Sequence, residues 1–186
     1  MSNVLETERL ILRPPIADDF DAWAAFMADE EDARFIGGAM NRAVAWRAMM
    51  IMMGSWSAYG IGMFSVIEKS SNEWIGRIGP WQPEGWPGTE VGWGIRNSAQ
   101  GKGYALEAAA ISMDYAVEHL GWSTIIHTID SENLASEKLA KRLGSVLMKR
   151  DVFLPAPLNT EPVNVWGQTA HQWALNRQSL TNSSKS

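Results

Sequence analysis

The chain has 186 residues, 46% of them apolar and 20% charged, which suits one folded domain rather than a disordered segment. Its formal charge of −5, with no run of three Lys or Arg, argues against nucleic acid as the main partner. Zero cysteines excludes disulfides, thiolate metal sites and a cysteine nucleophile, and suits a reducing cytoplasm.

The N-terminus carries early acidic residues and no apolar run of signal-peptide length. A first strand is expected over Leu5 to Arg13, ended by Pro14-Pro15. Asp18 can then cap a helix whose buried stripe is Phe20, Trp23, Ala24 and Met27. Gly37-Gly38 breaks the chain before a second helix, from about Ala43 to Trp56. That helix has too many apolar residues for one stripe, so it is buried broadly or faces both core and ligand. Its run Met49 to Met53 is too short to cross a bilayer, and no membrane association is expected.

Met63–Glu68 and Trp74–Gly79 read as two strands joined by a hairpin-length link, Lys69 to Asn72. Pro83, Gly85, Pro87 and Gly88 mark a stiff loop that also carries Trp81 and Trp86. A strand at Glu90–Ile95, a helix at Tyr104–Leu120, a strand at Thr124–Thr128 and a helix at Asn133–Leu143 follow. Gly121 and Gly144 stand where left-handed helix C-caps are needed. Further strands are expected at Val146–Leu154 and Val163–Leu175. The polar stretch from Asn176 to Ser186 reads as a frayed tail, leaving residues 1–175 as one domain. The order implies an α/β arrangement with an antiparallel first half and a strand-helix-strand crossover.

Ten Trp and ten Met are many for this length. They serve either core packing or a hydrophobic substrate slot.

In the strand Glu90-Val91-Gly92-Trp93-Gly94-Ile95, alternate residues point to opposite faces. Val91, Trp93 and Ile95 make an apolar face, whereas Glu90 shares the other with two glycines. Glycines at that spacing suit close approach of a ligand backbone, a bulge, or a strongly twisted strand without a ligand. The following turn, Gln100-Gly101-Lys102-Gly103-Tyr104, feeds a helix N-terminus, where unpaired N–H groups and the helix dipole favour a pyrophosphate. A nucleoside-triphosphate P-loop is excluded, because Arg96 and Gly103 stand where Gly and Ser or Thr are needed. A dinucleotide fingerprint fails at Leu106.

Three motifs in order resemble the GNAT superfamily of N-acetyltransferases, closest to its RimJ/RimL-like branch (ribosomal-protein N-terminal acetyltransferases). They are Glu90-Val-Gly-Trp-Gly-Ile, Gln100-Gly-Lys-Gly-Tyr-Ala-Leu-Glu-Ala and Asn133-Leu-Ala-Ser-Glu-Lys-Leu-Ala-Lys-Arg-Leu-Gly. The opening Glu6-Thr-Glu-Arg-Leu-Ile-Leu-Arg-Pro resembles that branch too, and the match spans about residues 5 to 150. The resemblance implies a mixed, mostly antiparallel sheet of six to seven strands, flanked by about four helices and splayed at an acetyl-coenzyme A cleft. One departure is Ser98, where the superfamily often has Arg or Gln.

The resemblance implies that acetyl-coenzyme A, as co-substrate, sits with its pyrophosphate on the amides of Gln100, Gly101, Lys102, Gly103, Tyr104 and Ala105. Its pantetheine arm would run along Trp93, Gly94 and Ile95, and Asn133 and Ser136 would also contact it. Ser136 is a candidate acid for the leaving sulfur, and Asn133 is equally a good helix cap. The acceptor is expected to be an amine, of a protein N-terminus or a small molecule. A lysine amine with pKa about 10.4 is almost wholly protonated at neutral pH, and an α-amine near about 7.7–8.0 much less so. Glu90 is the candidate base, directly or through a water, and a salt-bridged or solvated strand residue is the other reading.

Family architecture places the acceptor pocket among Trp46, Met50, Met53, Trp81, Glu84 and Trp86. His119, His127 and His171 lack metal-ligand spacing, and no metal is expected. The protein would be monomeric or homodimeric. A non-catalytic acyl-coenzyme A-binding domain is the alternative from another class.

Overall fold

The computed structural model describes residues 3–158 and 160–183. Among these residues eight strands form one sheet in the order β1-β2-β3-β4-β5-β6-β8-β7. They are β1 (Leu5–Glu6), β2 (Leu10–Arg13), β3 (Phe64–Glu68), β4 (Glu73–Trp81), β5 (Glu90–Ile95), β6 (Thr124–Ile129), β7 (Val146–Val152) and β8 (Val163–Thr169). Six α-helices accompany them: α1 (Phe20–Ala28), α2 (Glu30–Ala33), α3 (Arg42–Tyr59), α4 (Tyr104–Glu118), α5 (Leu134–Arg142) and α6 (Ala170–Ser183). The class is the expected one, with more strands and helices than six to seven and about four.

Period-two patterning assigns the sheet faces. Leu10, Leu12, Phe64, Val66, Ile78, Val91 and Ile95 share one buried cluster with Ala108, Ala109, Met113 and Ala116 of α4. The small alanines let α4 lie close to the sheet. On the opposite side Trp23, Phe26 and Met27 of α1 and Met49 and Met52 of α3 bury Met63, Ile67 and Trp74. Most of the methionines and tryptophans that these clusters contain are therefore core. The surplus on α3 faces outward instead: Ala45, Met49, Met52 and Trp56 make one buried stripe, while Ile51 is 61% exposed.

Several boundaries differ from the sequence reading. The first strand is a hairpin, because the Thr7 side chain accepts the Leu10 N–H at 3.0 Å and the Thr7 N–H donates to Leu10 C=O. Asp19, rather than Asp18, organises the start of α1. Its carboxylate accepts from the Ile16 N–H, the Ser65 hydroxyl and both terminal nitrogens of Arg13. Burial alone would raise the Asp19 carboxyl, but these donors, led by Arg13, hold it below its ordinary value.

The last strand stops at Thr169, and the residues expected as its end and as a frayed tail form α6. Thr169 and Gln172 make reciprocal side-chain-to-backbone bonds, a capping box that starts the helix. Trp173 is then buried at 2% exposure, with its indole N–H on Asp114. Asn176 reaches Gln168 at 2.8 Å, so this segment is docked rather than frayed. Residues 184–186 of the expected tail lie outside the described residues.

All neighbouring strands run antiparallel except β5 and β6, which are parallel and share the single register pair Glu90↔Ile126. Beyond that pair they part, and the cleft opens there.

Candidate active site

The parting of β5 and β6 is fixed by two side chains. In a parallel ladder, the bond after Ile126 N–H to Thr89 C=O would run from Thr128 N–H to Val91 C=O. Instead the Thr128 N–H donates to the Glu90 carboxylate at 3.0 Å. The Val91 C=O accepts from His127 Nδ1 at 2.7 Å. His127 Nε2 in turn accepts from the Ser145 hydroxyl at 3.0 Å, as the neutral tautomer requires. Both orphaned backbone groups are thereby satisfied without closing the strands.

Glu90 is 5% exposed. Besides the Thr128 N–H, its carboxylate is bonded by the Thr128 hydroxyl and the Trp86 indole N–H. Burial pushes the Glu90 carboxyl above its ordinary value, opposed by the Thr128 and Trp86 donors and the Arg77 charge. A buried carboxylate whose proton affinity is raised despite these donors is suited to accept a proton.

Gly92 and Gly94 do share a face with Glu90, but that face is covered by protein. A Cβ on Gly92 would lie 2.6 Å from the Met63 methyl, and one on Gly94 3.1 Å from the Phe26 ring. These glycines admit core side chains there, a reason the sequence reading did not include.

On the other side of the parting, β5 runs into the turn before α4. Gly101 and Gly103 adopt φ of +74° and +84°, a conformation that favours glycine. Gly103 is the N-cap of α4, and no side chain caps the helix. The first-turn N–H groups of this fifteen-residue helix are thus offered to a ligand. Gln100 folds back onto Ile95 C=O and Asn97, bracing the turn.

The N-terminal hairpin fastens this turn from outside. Arg9 donates to Lys102 C=O at 2.9 Å and to Glu107 at 2.7 Å, and Thr7 donates to Glu107 at 2.5 Å. Arg9 also stacks over the Tyr104 ring at 4.5 Å, and the Tyr104 hydroxyl donates to Glu68. Glu107 would otherwise place an unpaired negative charge in the first turn, beside a phosphate site. No role was assigned to Arg9 from sequence, although it lies in the opening motif.

The end of β5 and the turn before α4 line one groove of about 620 Å³, which the buried Glu90 does not itself line. Trp93, Gly94, Ile95, Gln100 and Gly101 form part of its wall, followed by Gly103, Tyr104 and Ala105. Asn133 and Ser136 line the facing side. Lys102 does not line it, and its ammonium lies 6.0 Å from the Tyr104 ring centre. Asn133 caps α5 by accepting the Ser136 N–H at 3.0 Å. The Ser136 hydroxyl accepts from the Trp93 indole at 3.0 Å, which leaves its own proton free to donate.

Sequence reasoning missed the outer wall. Asp32, Arg34 and Phe35, from α2 and the turn after it, line the groove, as do Lys138 and Arg142 of α5. Arg34 reaches Glu132 at 2.8 Å, and Asp32 accepts the Asn97 N–H at 2.7 Å. The i,i+4 cations of α5 were legible as one helical face, whereas nothing local ties α2 to a cleft.

None of the six expected acceptor residues lines this groove. Trp46 is 51% exposed on α3 and Glu84 is exposed in its loop. Met50, Met53 and Trp81 pack against the α1–α3 core. Trp86 alone among them is bonded to Glu90. Among the described residues no group of three or more His, Asp or Glu could hold a metal, and no helix is long and apolar enough to cross a membrane.

Comparison with known proteins bears on this arrangement. The acetyltransferase (GNAT) domain family matches residues 9–146. An uncharacterised N-acetyltransferase of Bacillus licheniformis, p20, is 31% identical over 143 residues, 75% of this chain and 80% of that protein. The crystal structure of an acetyltransferase from Agrobacterium tumefaciens superposes with a TM-score of 0.78 at 28% identity, covering 90% of this chain and 95% of that one. RimL, a ribosomal L7/L12 α-N-protein acetyltransferase, shares the fold at a TM-score of 0.74 and 14% identity, over 91% of this chain and 95% of its own.

Proposed function

This chain belongs to the acetyltransferase (GNAT) family, and on that premise we propose that it transfers an acetyl group from acetyl-coenzyme A to a primary amine. The amine is that of a protein N-terminus or a small molecule. The observation that carries this reading is one groove joining the β5–β6 parting, the uncapped α4 N-terminus and the Ser136 hydroxyl.

Acetyl-coenzyme A supplies the acetyl group already activated as a thioester. The first-turn amides of α4 suit its pyrophosphate, with Lys138 and Arg142 as nearby cations. The edge from Trp93 to Ile95 suits its pantetheine arm. Glu90 takes the proton released as the amine bonds to the acetyl carbon, directly or through one water. Ser136 donates its hydroxyl proton toward the departing sulfur. A thiol with pKa near about 8.5 leaves readily, so this assistance is modest. We read the chain as one such domain acting in the cytoplasm.

Thiol release from acetyl-coenzyme A, measured against N-terminal peptides, polyamines, aminoglycosides and amino acids, tests the proposal. Amine-dependent release is expected. Normal acetyl-coenzyme A binding with no release against any amine would instead mark a non-catalytic binding domain.

A further inference from the structure

Trp93 stands where the groove ends. Of the β5 residues, Ile95, Gly94 and Trp93 line it, and none of Glu90, Val91 and Gly92 does. An arm entering from the turn before α4 therefore meets Ile95 first and Trp93 last. The backbone edge agrees with this order. Val91 C=O points into the parting, and the alternation of the strand turns the N–H and C=O of Trp93 to the same edge. They lie past the Glu90↔Ile126 pair, where the β5–β6 ladder has ended.

The Trp93 side chain crosses the parting. It packs against the cluster beneath α4 and also against the separate cluster of Ile129, Ala140 and Trp166. Its indole N–H donates to the Ser136 hydroxyl at 3.0 Å. Its ring is tilted 45° to that of His127, with centres 4.6 Å apart. His127 is bonded to Val91 C=O and Ser145 and is 1% exposed, which keeps it from retreating. The ring is thus held from two sides, unlike a flexible side chain that could yield. In the proposed reaction the Ser136 hydroxyl faces the departing sulfur, and the same oxygen holds the Trp93 indole. The acyl group is bonded to that sulfur, so it ends within reach of the ring. A longer chain would need the ring to turn, which takes the indole N–H off Ser136 and disturbs the packing across the parting.

We infer that Trp93 limits the length of the acyl group: acetyl is accepted, and butyryl and longer chains are excluded. This deepens the proposed acetyl transfer and rests on it.

Calorimetric titration with free coenzyme A and its acetyl, propionyl, butyryl and hexanoyl thioesters tests this without knowledge of the acceptor. Each affinity is read as a ratio to that of free coenzyme A, which cancels any general weakening of the site. In the wild-type protein the acetyl thioester should bind at least as well as coenzyme A. The butyryl and hexanoyl thioesters should bind roughly 10-fold or more worse, the scale set by excess methylenes in a fitted pocket. W93A should bring the butyryl ratio to within about 3-fold of the acetyl ratio. S136A keeps the ring but removes the acceptor that holds it, and should recover part of that tolerance. Wild-type ratios independent of chain length, or a discrimination that survives in both variants, would overturn the inference and leave acetyl transfer standing. Absence of binding by coenzyme A and every thioester would bring down the functional reading itself. Should W93A fail to fold, the wild-type series and S136A decide.

Discussion

The Glu90 carboxylate accepts the backbone N–H of Thr128 at 3.0 Å, taking the bond that a continued β5–β6 ladder would have given to Val91. One side chain therefore both holds the strands apart and presents a carboxylate at the fork. Its two tasks separate by substitution. In E90Q the amide oxygen can still accept the Thr128 N–H, but no proton can be taken up. Turnover should fall about 10²- to 10⁴-fold with acetyl-coenzyme A affinity unchanged, as read by steady-state kinetics and calorimetry. E90A should also destabilise the fold by roughly 1–3 kcal/mol in urea denaturation, because a buried N–H loses its partner.

The pH dependence follows from the raised Glu90 value. The base form is present only above that pKa, so kcat should rise with pH through a value higher than that of an ordinary glutamate. This limb should be missing in E90Q. A raised folded-state pKa also means that folding favours the protonated carboxyl, so its contribution to stability is present at low pH and lost as pH rises through the folded value.

His127 acts in the opposite sense. Burial lowers its pKa from 6.5 to about 4, with the bond to Val91 C=O opposing. The unfolded chain therefore takes up the proton first as pH falls. The stability that neutral His127 supplies is complete above about pH 6.5 and is lost progressively toward pH 4, by about 3 kcal/mol in all. Unfolding free energies measured from pH 7 to 4 should show this slope, and H127Q should flatten it.

Arg9 is expected to position the phosphate turn without touching the reacting atoms. R9A should weaken acetyl-coenzyme A binding on the order of 10-fold, about 1.4 kcal/mol. Its effect on acetyl-pantetheine, which lacks the pyrophosphate, should be small. Equal losses for both ligands would assign Arg9 a general structural role. The partly exposed Arg9–Glu107 pair itself should contribute no more than about 1 kcal/mol to stability.

The C-terminal helix provides a check on the fold. Trp173 is buried in the cluster beneath α4, so W173A should cost roughly 3–5 kcal/mol in denaturant unfolding. A frayed tail would show no loss.

Local patterns in the sequence were sufficient for the elements around the groove. Glu90–Ile95 was read to the residue from its alternation, and the turn to α4 from two glycines ahead of an apolar stripe. Gly121 and Gly144 have the left-handed φ that their positions after helices demanded. The Thr169-to-Gln172 capping box was equally local and equally available, but the polar composition after it concealed a helix anchored by one tryptophan.

What remained belongs to tertiary structure, because it joins residues far apart in the chain. Arg9 meets Glu107 across 98 positions, and Thr128 meets Glu90 across 38. No periodicity encodes such pairs. The glycines of β5 show the division most clearly: the sequence determined that two side chains are absent beside Glu90. Only packing decided that the Met63 methyl and the Phe26 ring occupy the space they leave, since a close-packed interior fills any gap within reach of a side chain.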